Sequence, residues 1–190
     1  MALFQHRIFD SNRLVGKRVL DIGCGRKKLP GAVGLDQAAL PGVDVVSDLN
    51  DRLPFDNESF DAVHSDQVLE HVTNMIGLIG EIHRVLVPGG FMVAHVPYFR
   101  SSWAVIDPTH VRQFTLGSLD YFVEGTDAFN GYRFSDTGFT RLERFLDVGY
   151  PPSCFRFVFT RLACRWPNRF ENSLMSFLYP FEALTFVLTK

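Results

Sequence analysis

Arg18 to Gly25 reads RVLDIGCG, a short apolar run closed by glycines. A run of this length, without polar alternation, suits a strand buried on both faces of a parallel sheet. Further runs repeat the pattern: Gly31–Asp36 (GAVGLD), Asp44–Asp48 (DVVSD), Phe60–Ser65 (FDAVHS) and Gly90–Pro97 (GFMVAHVP). Most end on a glycine or a carboxylate, so the sheet presents a polar C-terminal edge. Between the last two runs, Val68, Val72, Met75, Ile79, Ile82 and Leu86 recur at spacings of three and four. That spacing predicts one long helix, stopped by Pro88-Gly89-Gly90. Strands alternating with helical stretches imply βαβ units and an α/β fold. One connection departs from this pattern. Gly25 to Asp36 leaves little room for a crossover helix, and Pro30-Gly31 breaks it, so the first crossover is expected to be a loop or a single turn.

The second half carries weaker signals. Ser102 to Asp120 is polar and loop-like, with a turn of helix at Leu116–Phe122, and Asn130–Gly138 reads as loop. Phe139–Phe145 alternates imperfectly and suits strand or helix. Phe155–Thr160 (FRFVFT) alternates arginine and aromatic, which predicts a half-exposed strand. Phe170–Leu178 reads as a short amphipathic helix ended by Pro180, and Ala183–Leu188 as a closing strand. No repeat or linker interrupts residues 1–190, which are expected to form a single domain.

Composition agrees with a globular chain. Of 190 residues, 46% are apolar and 21% charged, which excludes disorder and a coiled coil. The net charge of −2 offers no field for nucleic acid or an anionic membrane. Arginine is nonetheless concentrated late, in a stripe with aromatics: Arg156, Phe157, Phe159, Arg161, Arg165, Trp166 and Arg169. Such a stripe binds a nucleic acid, a phosphorylated acceptor or a lipid headgroup, or more commonly lays arginine stems over aromatic rings. Cys24, Cys154 and Cys164 are an odd number at no metal-ligand spacing, as in a reducing compartment. The opening MALFQHRIFD has no apolar core of a signal peptide, and no apolar run approaches the ~20 residues that cross a bilayer. A cytoplasmic location is expected.

Chemistry concentrates at the strand ends. Asp21, Gly23, Gly25, Asp36, Asp48 and Ser65–Asp66 fall in a row along the C-terminal edge, where open α/β sheets bind ligands. Glycines there let a backbone approach a ligand that a Cβ excludes. A dinucleotide site needs G-x-G-x-x-G, but Lys28 occupies the third position and its helix is missing. Asp36 sits where a carboxylate accepts from both hydroxyls of a ribose. Any one of these acids alone is equally a turn residue or a helix cap.

RVLDIGCG, GLD, SDLNDRLPFDNESFDAVHSDQVLEHV and HRVLVPGGFMVAHVP, taken in order, resemble a class I S-adenosylmethionine-dependent methyltransferase of the type-11, small-molecule kind. The resemblance spans roughly Val19 to Pro97. It implies a Rossmann-like, seven-stranded, mostly parallel sheet with a reversed last strand, and S-adenosylmethionine as cofactor. It places the glycine loop Gly23–Cys24–Gly25, with Asp21 before it, beside the methionine part of the cofactor. Asp36 falls at the ribose, Asp48 and Leu49 at the adenine, and Ser65, Asp66 and Gln67 at the position after strand four. The shortened first crossover (RKKLPGAV) departs from the family pattern, and Arg26 and Lys27 substitute electrostatically at the cofactor's carboxylate end. That loop, DPTH and the closing FLYPFEALTF are similar to a subgroup of bacterial methyltransferases associated with glycan or secondary-metabolite clusters.

The acceptor side is expected in an insert at about 98–138. Tyr98, Arg100, Asp107, His110 and Arg112 share one polar loop, YFRSSWAVIDPTHVRQFT. A histidine with a carboxylate nearby serves as a general base towards a hydroxyl, which makes His110 and Asp107 the catalytic candidates and Tyr98, Arg100 and Arg112 the acceptor-binding ones. The alternative is a turn at Asp107-Pro108 with His110 bonded to it. Glu70 and His71 are a family hallmark and are read as packing residues; His64, His83 and His95 are read as core or surface. No His, Asp or Glu set has metal-ligand spacing. The expected activity is methyl transfer to a small molecule, most plausibly at an oxygen of a sugar or natural product. The alternatives are a nucleic-acid or protein methyltransferase, and a cofactor-binding subunit without turnover. The HSDQ after strand four, in place of an Asn/Asp-Pro-Pro-aromatic signature, argues against an exocyclic-amine target.

Overall fold

The computed structural model describes residues 10–134, 138–148, 156–178 and 181–190. The strands are β1 (Val19–Ile22), β2 (Val33–Asp36), β3 (Val45–Val46), β4 (Phe60–Asp66), β5 (Leu86–Pro97), β6 (Arg141–Val148) and β7 (Phe181–Thr189). They form one seven-stranded sheet in the order β3-β2-β1-β4-β5-β7-β6. The β3-β2-β1-β4-β5 block is parallel, and β7 runs antiparallel to both β5 and β6. The strand order reverses between β1 and β4, and that switch point opens a crevice at the strands' carboxyl ends.

Residues 23–32 between β1 and β2 hold no helix, as the short crossover requires. The buried Asp21 holds this loop in place. One of its carboxylate oxygens accepts the Leu29 amide at 2.8 Å, and the other lies 2.7 Å from His64 Nδ1 on β4. A carboxylate bonded on both oxygens escapes most of the cost of leaving water. Alternation along β1 puts Leu20 and Ile22 in the main core and Val19 in a smaller cluster with Ala32, Ala62, Phe91, Val93 and Val187.

Helix α1 (Met75–Val85) covers the main core with Met75, Leu78, Ile79, Ile82 and Val85. Burial of each such side chain contributes about 1.5–3 kcal/mol. The helix is shorter than its periodicity predicts. Asn74 caps it, accepting from the Gly77 amide at 3.1 Å, and residues 68–73 are turns whose Val68, Leu69 and Val72 are nevertheless buried. Consecutive turns reproduced the helical spacing. At the other end Leu86 is already extended, and Pro88-Gly89-Gly90 lies within β5 beside a register shift opposite Phe60 and Ala62.

Later elements are α2 (Trp103–Ile106), a 3-10 turn at Asp120–Phe122, α3 (Asp127–Tyr132), α4 (Arg156–Arg165), α5 (Pro167–Glu171) and α6 (Met175–Leu178). Phe139–Phe145 resolves into β6. The predicted strand at Phe155–Thr160 is corrected to helix α4: Phe159, Leu162 and Ala163, at helical spacing, face the core and override the local alternation. The helix predicted over Phe170–Leu178 is two short ones, with Pro167 in the first turn of α5. Part of the Asn130–Gly138 loop is α3. Cys154, Phe155, Pro180 and the chain start fall outside the described residues, as do the side chains of Arg156, Phe157 and Cys164. Among the described residues no helix is long and apolar enough to cross a membrane.

Candidate active site

The carboxyl edge of the sheet carries three adjoining cavities. The first, about 520 Å³, is lined by Asp21, Gly23, Cys24, Gly25, Arg26, Lys27, His64 and Asp66, among others. Gly23 passes it into a second of about 460 Å³, bounded by Asp36, Gln37, Asp48, Leu49, Asn50, Val68 and Val72. Gln67 and His71 form a wall common to that cavity and a third, of about 340 Å³, which Trp103, Ile106, Asp107 and His110 complete.

The two loop glycines have different jobs. Both have positive φ, +62° and +52°. A Cβ on Gly23 would lie 2.4 Å from Val68 Cγ2, so that glycine makes room for the chain itself. A Cβ on Gly25 meets nothing within 4 Å and would project into open space at the cavity. Asp36 Oδ2 accepts the Gly25 amide at 2.9 Å and its Oδ1 the Ala38 amide at 2.9 Å. Asp48 Oδ1 accepts both the amide and the side chain of Asn50 at 2.8 Å, which hold its carboxyl below the usual range. Leu49 is buried beside it. Burial, then the nearby Asp21 and Asp36, push the Cys24 thiol up. Ser65 is fully buried, with a hydroxyl that has no partner. Gln67 keeps a φ of +54° where it borders two cavities, pinned by its amide on the His95 carbonyl at 2.9 Å. Strain of this kind in a non-glycine residue is commonest at functional sites.

On the acceptor side the connections differ from those expected. Asp107 Oδ1 accepts the Thr109 amide at 2.8 Å and its hydroxyl at 2.6 Å, and these bonds lower the Asp107 pKa. The Thr109 hydroxyl proton being spent there, its oxygen accepts from His71 Nδ1 at 2.9 Å. Asp107 therefore orients His71, not His110. His110 donates Nδ1–H to the Ala104 carbonyl at 3.2 Å, with its ring 4.7 Å from that of His71. Both rings thus present a protonated Nδ1 to their partners. His110 Nε2 is 4.0 Å from Oε1 of Glu70, whose carboxyl is buried and, among the described residues, has no hydrogen-bond partner on either oxygen. Burial, with Asp66 and Asp107 nearby, pushes the Glu70 pKa up to about 7.

Three expected acceptor contacts lie elsewhere. Tyr98 is fully buried, edge-on to Phe99 and Phe181, and burial together with Glu171 raises its hydroxyl pKa. Arg100 stacks 3.8 Å over Phe177 and donates to the Glu171 carbonyl. Arg112 grips the Val72 and Thr73 carbonyls at 2.6 and 3.0 Å, shaping the turns ahead of α1, and burial lowers its pKa. Conversely, His71 moves from packing into the cavity wall beside His110, and the buried Glu70 lies behind them, 4.0 Å from His110 Nε2. Sequence spacing hid this group, because forty residues separate partners that the loop over α1 brings together. His95 also borders the third cavity, its Nδ1 2.9 Å from Thr185 Oγ1.

A family model described as "Methyltransferase domain" matches residues 30–94. Phthiotriol/phenolphthiotriol dimycocerosates methyltransferase of Mycobacterium leprae is 32% identical over 108 residues, 46% of this chain and 40% of that protein. Ubiquinone biosynthesis O-methyltransferase of Pseudomonas syringae is 31% identical over 102 residues, 40% of this chain and 43% of that protein. The chain thus spans under half the length of either relative. A solved SAM-dependent methyltransferase from Archaeoglobus fulgidus shares the fold, with a TM-score of 0.56, 18% identity, and coverage of 92% of this chain and 86% of that one. The likeness to that structure is one of fold, a seven-stranded, mostly parallel sheet.

Proposed function

We propose that the protein transfers the methyl group of S-adenosylmethionine to an oxygen of a small molecule with sugar-like or natural-product character. The wall of Gln67 and His71, shared by two cavities, carries this reading. It separates a cofactor trough from a smaller chamber by the thickness of one side chain. Adenosine lies in the cavity bounded by Asp36 and Asp48, with Asp36 on the ribose and Leu49 against the base. The methionine end passes the Gly23–Gly25 turn and Asp66, towards Arg26 and Lys27. Residues 98–138 act as the acceptor-side insert of a single domain. A chamber of about 340 Å³, lined by Trp103 and Ile106 as well as by histidines, suits a compact acceptor with one apolar face.

The reaction is in-line displacement: an acceptor oxygen bonds to the methyl carbon as the carbon–sulfur pair returns to sulfur. Alignment supplies most of the acceleration. The acceptor's proton leaves on the side of His71 and His110. The O-methyltransferase name of the Pseudomonas relative supports an oxygen acceptor. The test is transfer of labelled methyl from the cofactor into a fractionated small-molecule extract, read by mass. Label in a hydroxylated small molecule is the expected result. Cofactor binding without transfer to any fraction would instead identify a binding subunit.

A further inference from the structure

We propose that Glu70, His71 and His110 form a binding site for one divalent transition-metal ion, on the wall facing the acceptor. One ligand atom from each residue lies within 4.8 Å of the others. Glu70 is 1% exposed and, among the described residues, neither of its oxygens has a hydrogen-bond partner. A buried carboxyl without a partner is unfavourable, and an ion held between it and the imidazoles would supply one. His110 stands 4.0 Å away, too far for a hydrogen bond but across a gap that an ion would fill. Asp66 and Asp107 are close enough to act on Glu70, and both add negative charge.

The second layer of contacts is that of a metal site. A ligating histidine almost always donates its other ring N–H to a carbonyl or carboxylate. His110 donates Nδ1–H to the Ala104 carbonyl, and His71 donates through the Thr109 hydroxyl to Asp107. Two imidazoles and a carboxylate select zinc, cobalt, iron or manganese over magnesium or calcium. The three donors close in by roughly an ångström to reach bonds near 2.0–2.2 Å.

This site rests on the proposed acceptor chamber and specifies how its wall removes a proton. A hydroxyl in the ion's open position ionises far more readily than a free one. Its O–H bond breaks, the proton passes to solvent water, and the oxygen's electron pair forms the new bond to the methyl carbon. The carbon–sulfur pair goes to sulfur, which leaves as the neutral thioether of S-adenosylhomocysteine.

Cobalt(II) titrated into chelator-stripped protein is the test, followed by its visible absorption and by calorimetry. One equivalent per chain is expected, with Glu70→Gln and His110→Ala each lowering affinity at least 100-fold and Asp107→Ala by about 10–100-fold. Paramagnetically shifted N–H resonances from two imidazoles in the unmutated protein provide a readout that needs no variant. No binding of a full equivalent, or binding unchanged in Glu70→Gln, overturns the site. Calorimetry with S-adenosylmethionine on the same samples keeps the two readings apart. Methyl transfer without metal binding refutes only the ion, and metal binding without transfer refutes only the enzyme.

Discussion

Gly25 donates its amide to Asp36 across 2.9 Å, so the glycine turn and the acid ending β2 are one unit. Neither oxygen of Asp36 is exhausted by its single amide, and both retain lone pairs for ribose hydroxyls. Asp36→Ala is expected to weaken binding of S-adenosylmethionine and its homocysteine product by about 1.5–3 kcal/mol, the range for hydrogen bonds to a charged group. Calorimetry measures this directly. An unchanged affinity would place the ribose elsewhere.

The glycine turn allows a sharper test, because its two glycines meet different neighbours. Gly25→Val puts a branched side chain at a φ of +52° into open space, where the cofactor has to pass. It should abolish cofactor binding while the chain stays folded. Gly23→Ala drives a Cβ to 2.4 Å from Val68 and should lower the melting temperature. Melting and calorimetry on both variants decide the matter. Unfolding of Gly25→Val with Gly23→Ala unaffected would reverse the assignment.

The row of strand ends was legible because buried parallel strands leave short apolar runs, and each run ends where its polar residue begins. The parallel sheet and the helix-free first crossover follow from that, and so does the line from Gly23 to Asp66. Other features need tertiary context. Asn74 ends the turns before α1 by binding its own Gly77 amide and Asn50, contacts that no spacing of apolar residues reports. Helix α4 alternates like a strand but turns the partly buried Phe159 and Leu162 and the buried Ala163 to the core. In the site, the pairing of Asp107 with His71 runs through a threonine hydroxyl 38 residues along the chain. Proximity in sequence pointed to His110 instead.

That pairing makes separate predictions for the chamber wall. His71→Ala and His110→Ala should each cut turnover by about 10²–10⁴-fold, the range for loss of assisted proton removal. Cofactor affinity should barely move in His110→Ala, because His110 borders only the third cavity, whereas His71 borders the second as well. Thr109→Val breaks the link between Asp107 and His71 and should lower kcat by less than His71→Ala does. Single-turnover methyl transfer with each variant, beside its melting curve, is the measurement. Activity falling only in proportion to the folded fraction would make this loop a rigid turn and nothing more.

Stability should respond to pH through Glu171, which ties α5 to the loop before the Asp120–Phe122 turn. Its Oε1 accepts the Leu116 amide at 2.7 Å, and its carboxyl is buried. Burial raises its pKa, against the opposing pull of the Leu116 amide, Tyr98, Arg100 and Arg144. The folded chain therefore binds this proton more tightly than the unfolded one. The resulting stabilisation is complete below the ordinary carboxylate pKa and is lost as pH rises through the folded value. Glu171→Gln keeps an oxygen for the Leu116 amide and removes the charge. The variant should melt above the parent at pH 8, and the gap should close as pH falls towards about 4.3, the usual glutamate value. Melting curves from pH 4 to 8 check this. A parent that melts higher at pH 8 would mean that Arg100 and Arg144 more than offset the cost of burying the charge.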